Sequence, residues 1–261
     1  MLIIFVCYNI SMKQIWKELW NDVLSAVYPN LRCVFCGAEA LYCDEGICET
    51  CLHTLPFITG EVCAKCGMPI AHHGEVCLEC KHKTYSFDYA RAVALFTEQT
   101  AKPIYDLKYK HCAFVAEKLG ALMATYYEKF LEGSVQPLVI PVPLFAEREK
   151  ERGYNQSELL AKAFCKALGL EMRTDIVERV KDTPTQTHLN KKERAKNLEK
   201  AFRVTNANAV KGRDILIIDD VFTTGATTNA LAQQMRKCKP KSIGVFTFLK
   251  VPLGNKEQIL Q

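Results

Sequence analysis

The chain has 261 residues, 49% hydrophobic and 24% charged, a composition that excludes a disordered polymer and provides one ample core plus a smaller module. A formal net charge of +5 suits phosphate-rich partners but falls well short of a dedicated nucleic-acid binder. Of 13 cysteines, eight sit in four C-x-x-C pairs between residues 33 and 80; with no evident secretory signal, this predicts zinc rather than disulfides and a reducing, cytoplasmic setting.

In chain order, Met1 to Tyr8 is apolar but lacks a basic flank and a small-residue cleavage site, and it is too short to span a bilayer. Met12 stands directly before a helix, so translation is expected to begin there, with the first eleven residues a mis-called extension. From Lys13 to Tyr28, the residues Ile15, Trp16, Leu19, Trp20, Val23, Leu24 and Val27 paint one helical face. This predicts an amphipathic helix over 12–30. Its mixed-sign polar face favours packing on the protein's own body over a membrane surface.

A double zinc ribbon is predicted over 31–84. The pairs Cys33 and Cys36, Cys48 and Cys51, Cys63 and Cys66, and Cys77 and Cys80 each form a tight turn aiming two thiolates at one point. Two such turns supply the tetrahedral four-thiolate shell of a structural zinc ion, so two Zn2+ are expected. Sequential pairing of the turns is preferred to interleaving, which the spacing leaves open. Cys43, His53, His72 and His73 are competing donors, although the cysteines already complete both shells.

Cysteines thin out after Phe87, and a larger domain is predicted over 85–254, entered by a strand from Tyr89 to Phe96. A helix follows from Ala113 to Leu131, then a buried strand from Leu138 to Val142. The strand exits into a charged loop, and a helix then runs to Leu168 with Asn155 as N-cap, Glu158 as its capping-box partner, and Leu159, Leu160, Ala163, Phe164 and Ala167 inward. Arg148 and Arg152, one helical turn apart, are placed to face one anion. Such a charged segment is ordinarily a solvated face, but this one leaves the carboxyl end of a core strand, where open α/β sheets bind ligands.

Residues 181–202 are polar and basic, between strand candidates Ile176 to Val180 and Phe202 to Val204. They read either as a lid that excludes water from a reactive centre or as a long surface hairpin. Ile215 to Ile218 then gives four consecutive aliphatic residues, a strand buried on both faces in a parallel sheet. Asp219 and Asp220 are expected to end it. Adjacent carboxylates at a strand mouth suit ligand hydroxyls or a hydrated cation. The turn Thr223 to Thr228, with Gly225 and a helix from about Thr227, suits a phosphate. An ordinary Asp-capped turn does not call for two acids followed by four threonines around one glycine. The last elements are a helix with Ala230, Leu231, Met235 and Cys238 inward and a strand from Ser242 to Leu249.

The stretch from Ile215 to Thr228 resembles the phosphoribosyl pyrophosphate (PRPP) motif of type I phosphoribosyltransferases. The resemblance implies an α/β fold, a parallel sheet flanked by helices, and PRPP bound with Mg2+. It assigns the ribose hydroxyls to Asp219 and Asp220 and the 5'-phosphate to Thr223, Thr224, Gly225, Ala226 and Thr227. The loop carrying Arg148, Arg152, Gly153, Asn155 and Gln156 then corresponds to the pyrophosphate loop, with Arg152 counted beside the two acids as catalytic, and 181–202 to a mobile hood. Three landmarks in order, the tandem C-x-x-C pairs, Arg152-Gly153-Tyr154-Asn155-Gln156, and Asp182-Thr183-Pro184-x-Gln186 continuing to Glu193-Arg194-x-x-Asn197, are similar to the ComF family, also called ComFC or GntX-like. That resemblance implies a cytosolic protein of natural transformation, working near imported single-stranded DNA with a helicase-like partner.

Two readings remain. As an enzyme, the chain positions a ribosyl centre and stabilises departing pyrophosphate, with no evident general base and no recognisable pocket for a purine or pyrimidine. As a DNA-handling module, its ribbons and basic lid grip a single strand, although stacking aromatics interleaved with basic residues are not conspicuous.

Overall fold

A strand with no polar face must be covered twice, and Ile215 to Ile218 lie fully buried inside a four-stranded, all-parallel sheet. The computed structural model describes residues 32–39, 46–71, 75–130, 136–182 and 200–252. The predicted 12–30 helix, Cys43, His72, His73 and positions 183–199 of the basic segment lie outside them. The chain divides between His53 and Thr54 into two compact units.

The strands are β1 (Tyr89–Leu95), β2 (Leu138–Pro141), β3 (Val177–Arg179), β4 (Phe202–Val204), β5 (Asp214–Phe222) and β6 (Ser242–Lys250). Among the described residues the helices are α1 (Glu49–Thr54), α2 (Leu78–Lys81), α3 (Glu98–Tyr109), α4 (Phe114–Phe130), α5 (Ala146–Arg152), α6 (Gln156–Leu168) and α7 (Ala226–Arg236). The main sheet has the order β1-β6-β5-β2, and β3 pairs antiparallel with β4. Ile217 lies between Ile140 and Val245 in register.

The predicted strand end at the diacid is corrected: β5 continues through both aspartates to Phe222. Its neighbour β6 keeps pairing there, Asp219 opposite Thr247 and Val221 opposite Leu249. On the other side β2 stops pairing at Pro141, opposite Ile218, so the diacid occupies an edge from which one neighbour has departed.

One face of the sheet joins Leu138, Ile140, Ile215, Ile217 and Val245 to Leu231 and Met235 of α7 and to Cys63, Cys66 and Cys80 in a single apolar cluster. The second ribbon is thus part of the core of the sheet's own unit. It is fastened to β1 by Ala90 N–H donating to the Lys65 carbonyl (2.9 Å). Gly67, at φ +70°, lets the two backbones meet, since a Cβ there would lie 2.7 Å from the Ala90 carbonyl oxygen.

The opposite face is covered by α4 and α6. Phe164 packs at 5.1 Å from Tyr127 and 5.9 Å from Phe246 between ring centroids. The buried face of α6 carries Ser157, Leu160, Ala161, Phe164 and Cys165, rotated from the predicted one, and Ala167 is exposed. The helix α3 is absent from the sequence reading because Pro103 interrupts its pattern; a capping box between Thr97 and Thr100 starts it nonetheless.

Where α4 crosses α6, Gly120 has no room for a side chain: a Cβ would sit 2.4 Å from Ala163 Cβ and 2.8 Å from the Leu160 carbonyl oxygen. Gly120→Ala should therefore cost about 1–3 kcal/mol, read as a lower urea midpoint. Gly60→Ala, with open space around it, should stay within about 0.5 kcal/mol of the parent.

Candidate functional site

The departure of β2 opens a cavity of about 580 Å³ at the carboxyl ends of the sheet strands, reached by Phe96, Val142, Leu249 and the Asp219–Asp220 pair. Both acids are buried. Asp219 Oδ1 accepts from Ser157 Oγ (2.9 Å) and from the Asp220 backbone N–H (3.0 Å). Asp220 forms an ion pair with Lys108 of α3 and accepts from Gln156 Nε2 (3.4 Å). Gln156 in turn accepts from Arg152, so one polar chain runs from Arg152 through Gln156 and Asp220 to Lys108.

Two carboxylates side by side out of water do not ionise alike. Burial opposes the charge on Asp220, but the Lys108 ammonium outweighs it and holds that carboxyl below its usual range. Asp219 has no such partner, and burial followed by the charge on Asp220 pushes it up to about 7. Lys108 gains from the pair as well: burial disfavours its charge, and Asp220 more than restores it.

The threonine turn divides into two roles. Thr223 and Thr227 line the cavity with the acids. Thr228 is buried and donates to the Gly225 carbonyl (3.2 Å), while the Thr224 carbonyl accepts from Tyr85 Oη (3.3 Å). Thr224, Gly225 and Ala226 shape the turn without lining the cavity. Gly225 caps α7 at φ 76°, and a Cβ there would lie 2.5 Å from the Phe222 ring, so glycine is required by conformation and by space.

Across the cavity, Arg148 and Arg152 line it from α5, a short helix where a loop was expected, and Gln156 joins them. Arg148 is paired with Asp182 (3.0 Å). Gly153 ends α5 at φ 82°, a left-handed cap. Asn155 caps α6 by accepting from Ser157 N–H (3.0 Å) and donates to the Val142 carbonyl (3.1 Å); it does not reach this cavity and lines a smaller neighbouring one. Sequence reasoning gave no site role to Lys108, Ser157, Arg179, Tyr105 or Tyr109. Four of the five lie on the unpredicted α3 or in the antiparallel pair, and Ser157 carries no signal beyond following the Arg-Gly-Tyr-Asn-Gln run.

The eight cysteines gather sequentially, Cys33, Cys36, Cys48 and Cys51 in one group and Cys63, Cys66, Cys77 and Cys80 in the other, with the sulfurs of each group within 4.8 Å of one another. Four thiolates around zinc stand about 3.8 Å apart. The Cys36–Cys48 and Cys66–Cys77 sulfur separations are 3.5 and 3.7 Å, and Cys77 N–H points at Cys63 Sγ (3.3 Å). Both groups fit structural zinc. His53 lies outside both clusters.

Residues 23–81 match a double zinc ribbon domain and residues 155–259 a phosphoribosyl transferase domain. The chain is 29% identical over 229 residues to Competence protein F of Haemophilus influenzae, covering 83% of this chain and 96% of that one. It is 30% identical over 208 residues to DNA utilization protein YhgH of Salmonella typhi (78% and 90% covered), and 28% identical over 223 residues to Competence protein ComFC of Bacillus subtilis (79% and 85% covered). Fold and site define a protein that joins a double zinc ribbon to a phosphoribosyltransferase-type domain. Within that class, the chain belongs to the ComF family.

Asp219 keeps its proton in the folded chain at pH values where an unfolded aspartate has lost it. The folded state therefore binds more protons between the ordinary value of 3.8 and about 7, and stability falls as pH rises through that window. Thermal melts at pH 5 and pH 8 should show this loss in the parent and a smaller one in Asp219→Asn. Because Cys63, Cys66 and Cys80 belong to the sheet's core cluster, stripping zinc with a strong chelator should lower the melting temperature of the sheet unit itself; metal loss with an unchanged melt would contradict this.

Proposed function

We propose that this ComF-family chain binds PRPP with Mg2+ in the diacid cavity and acts in the cytosol on imported single-stranded DNA. The observation that carries the ligand reading is the buried Asp219–Asp220 pair, ringed by Ser157, Lys108 and Gln156, with the Thr223–Thr227 turn on one side and two arginines on the other. In this arrangement the carboxylates accept from the ribose 2'- and 3'-hydroxyls. Thr223 and Thr227, with the turn's backbone N–H groups, hold the 5'-phosphate. Arg148 and Arg152 face the diphosphate, and Arg152 stabilises the charge on departing pyrophosphate. The donor set of carboxylates beside ligand oxygens fits Mg2+, which when bound neutralises diphosphate charge.

The DNA-handling part of the proposal draws support from the relatives' names, which concern competence and DNA utilization. The alternative is a phosphoribosyltransferase of nucleotide metabolism with an unidentified acceptor and no DNA role; the intact set of charged groups around the diacid favours a site capable of turnover.

Calorimetric titration of PRPP and Mg2+ into the zinc-loaded protein tests the ligand reading. Saturable binding is expected, lost when Asp219→Asn and Asp220→Asn are combined. No heat at millimolar ligand, where binding is worth only about 4 kcal/mol, would reject it.

A further inference from the structure

The helix hidden by Pro103 brings to the diacid cavity a feature the sequence does not display. Tyr105 and Tyr109 stand one turn apart on α3 with ring centroids 4.9 Å apart, and they are 54% and 62% exposed. Both line the same cavity as Asp219 and Asp220. Adjacent exposed aromatic rings at a polar cavity form an apolar surface that the described residues leave uncovered.

Cations border the rings. The Lys110 ammonium lies 5.9 Å from the Tyr105 centroid while pairing with Asp106, and the Arg152 guanidinium lies 5.7 Å from that of Tyr109. From Arg152 the contact continues through Gln156 to Asp220, and Lys108 reaches Asp220 from between the two tyrosines in sequence. The rings, Lys108, Arg152 and the diacid therefore line one cavity. The rings come from outside residues 155–259, the segment that matches a phosphoribosyl transferase domain.

We propose that Tyr105 and Tyr109 form a stacking platform for the base of a nucleotide unit whose sugar and phosphate lie against Asp219, Asp220 and the Thr223–Thr227 turn. The proposal rests on the sugar-phosphate reading of that cavity and adds a base subsite to it. A platform of this kind accepts any base, since each has a π-face, and the bordering cations add attraction for ring and phosphate alike. The unit is a free nucleotide or the 3'-terminal nucleotide of a single strand, which keeps a free 3'-hydroxyl for the diacid; the chemistry at the platform is the same.

The test titrates the full-length zinc-loaded protein, in Mg2+, with ribose 5-phosphate and with adenosine 5'-monophosphate. The base should raise affinity roughly 5- to 150-fold over the bare sugar phosphate. Tyr105→Ala combined with Tyr109→Ala should bring that ratio close to one, and the corresponding Trp pair should restore it. Both positions are exposed, and a melting curve matching the parent's checks that the fold is intact. Equal binding of the two ligands by the parent, or a ratio that survives the alanine pair, overturns the platform and leaves the sugar-phosphate site standing. Absence of binding by either ligand overturns both. Competition with a thymidine single strand of about ten nucleotides that ends in a free 3'-hydroxyl, beside the same strand with its 3' end phosphorylated, assigns the source: displacement of the monophosphate by the first strand alone places a 3' strand end on the rings, and undisturbed binding places a free nucleotide there.

Discussion

Two carboxylates buried side by side at an open strand edge are the constraint on which the rest of the site depends. In water such a pair is unremarkable; under a sheet it is costly unless something offsets each charge. The chain recruits three elements to do so. Lys108 comes from α3, Ser157 and Gln156 from α6, and the Asp220 amide from β5 itself. The result is unequal: Asp220 is held ionised by Lys108, and Asp219 is poised near neutrality by burial. Asymmetry of this kind leaves one acid able to accept from a hydroxyl at once and the other able to gain charge when a cation or a cationic centre arrives.

The sheet explains why the pair is where it is. β5 keeps its partner β6 past the diacid but loses β2 at Pro141, so the carboxylates lie in a crevice at the carboxyl ends of parallel strands. Gly225 then turns the chain tightly enough that Thr223 and Thr227 look back into the same crevice, and the Phe222 ring occupies the space a side chain would need. The second ribbon contributes Cys63, Cys66 and Cys80 to the apolar cluster on one face of the sheet that carries the acids.

Much of this was legible in the residues. Ile215 to Ile218 reads as a central strand because nothing polar interrupts it, and the C-x-x-C spacing gives two four-sulfur clusters, while their sequential pairing, preferred but left open by the spacing, is decided by the folded chain. The diacid, the threonine turn and the two arginines were found by type and position. What stayed hidden depends on contacts between distant segments. Pro103 masks α3, and with it Lys108 and the two tyrosines; the rotated face of α6 follows from its crossing with α4 at Gly120; and the continuation of β5 past Asp220 is decided by β6, nearly thirty residues downstream. Asn155 shows the opposite case, a residue whose type suited a ligand and whose geometry is that of a helix cap.

In the proposed function the diacid is a sugar-hydroxyl site, with Lys108 as its counter-ion in the absence of ligand. A crystal structure of the zinc-loaded protein with PRPP and Mg2+ is the most direct test. Density is expected for the ribose against Asp219 and Asp220, for the 5'-phosphate in the Thr223–Thr227 turn, and for the diphosphate facing Arg148 and Arg152. A ligand bound elsewhere, with the Lys108–Asp220 pair undisturbed and the cavity filled by water, would contradict the proposed function.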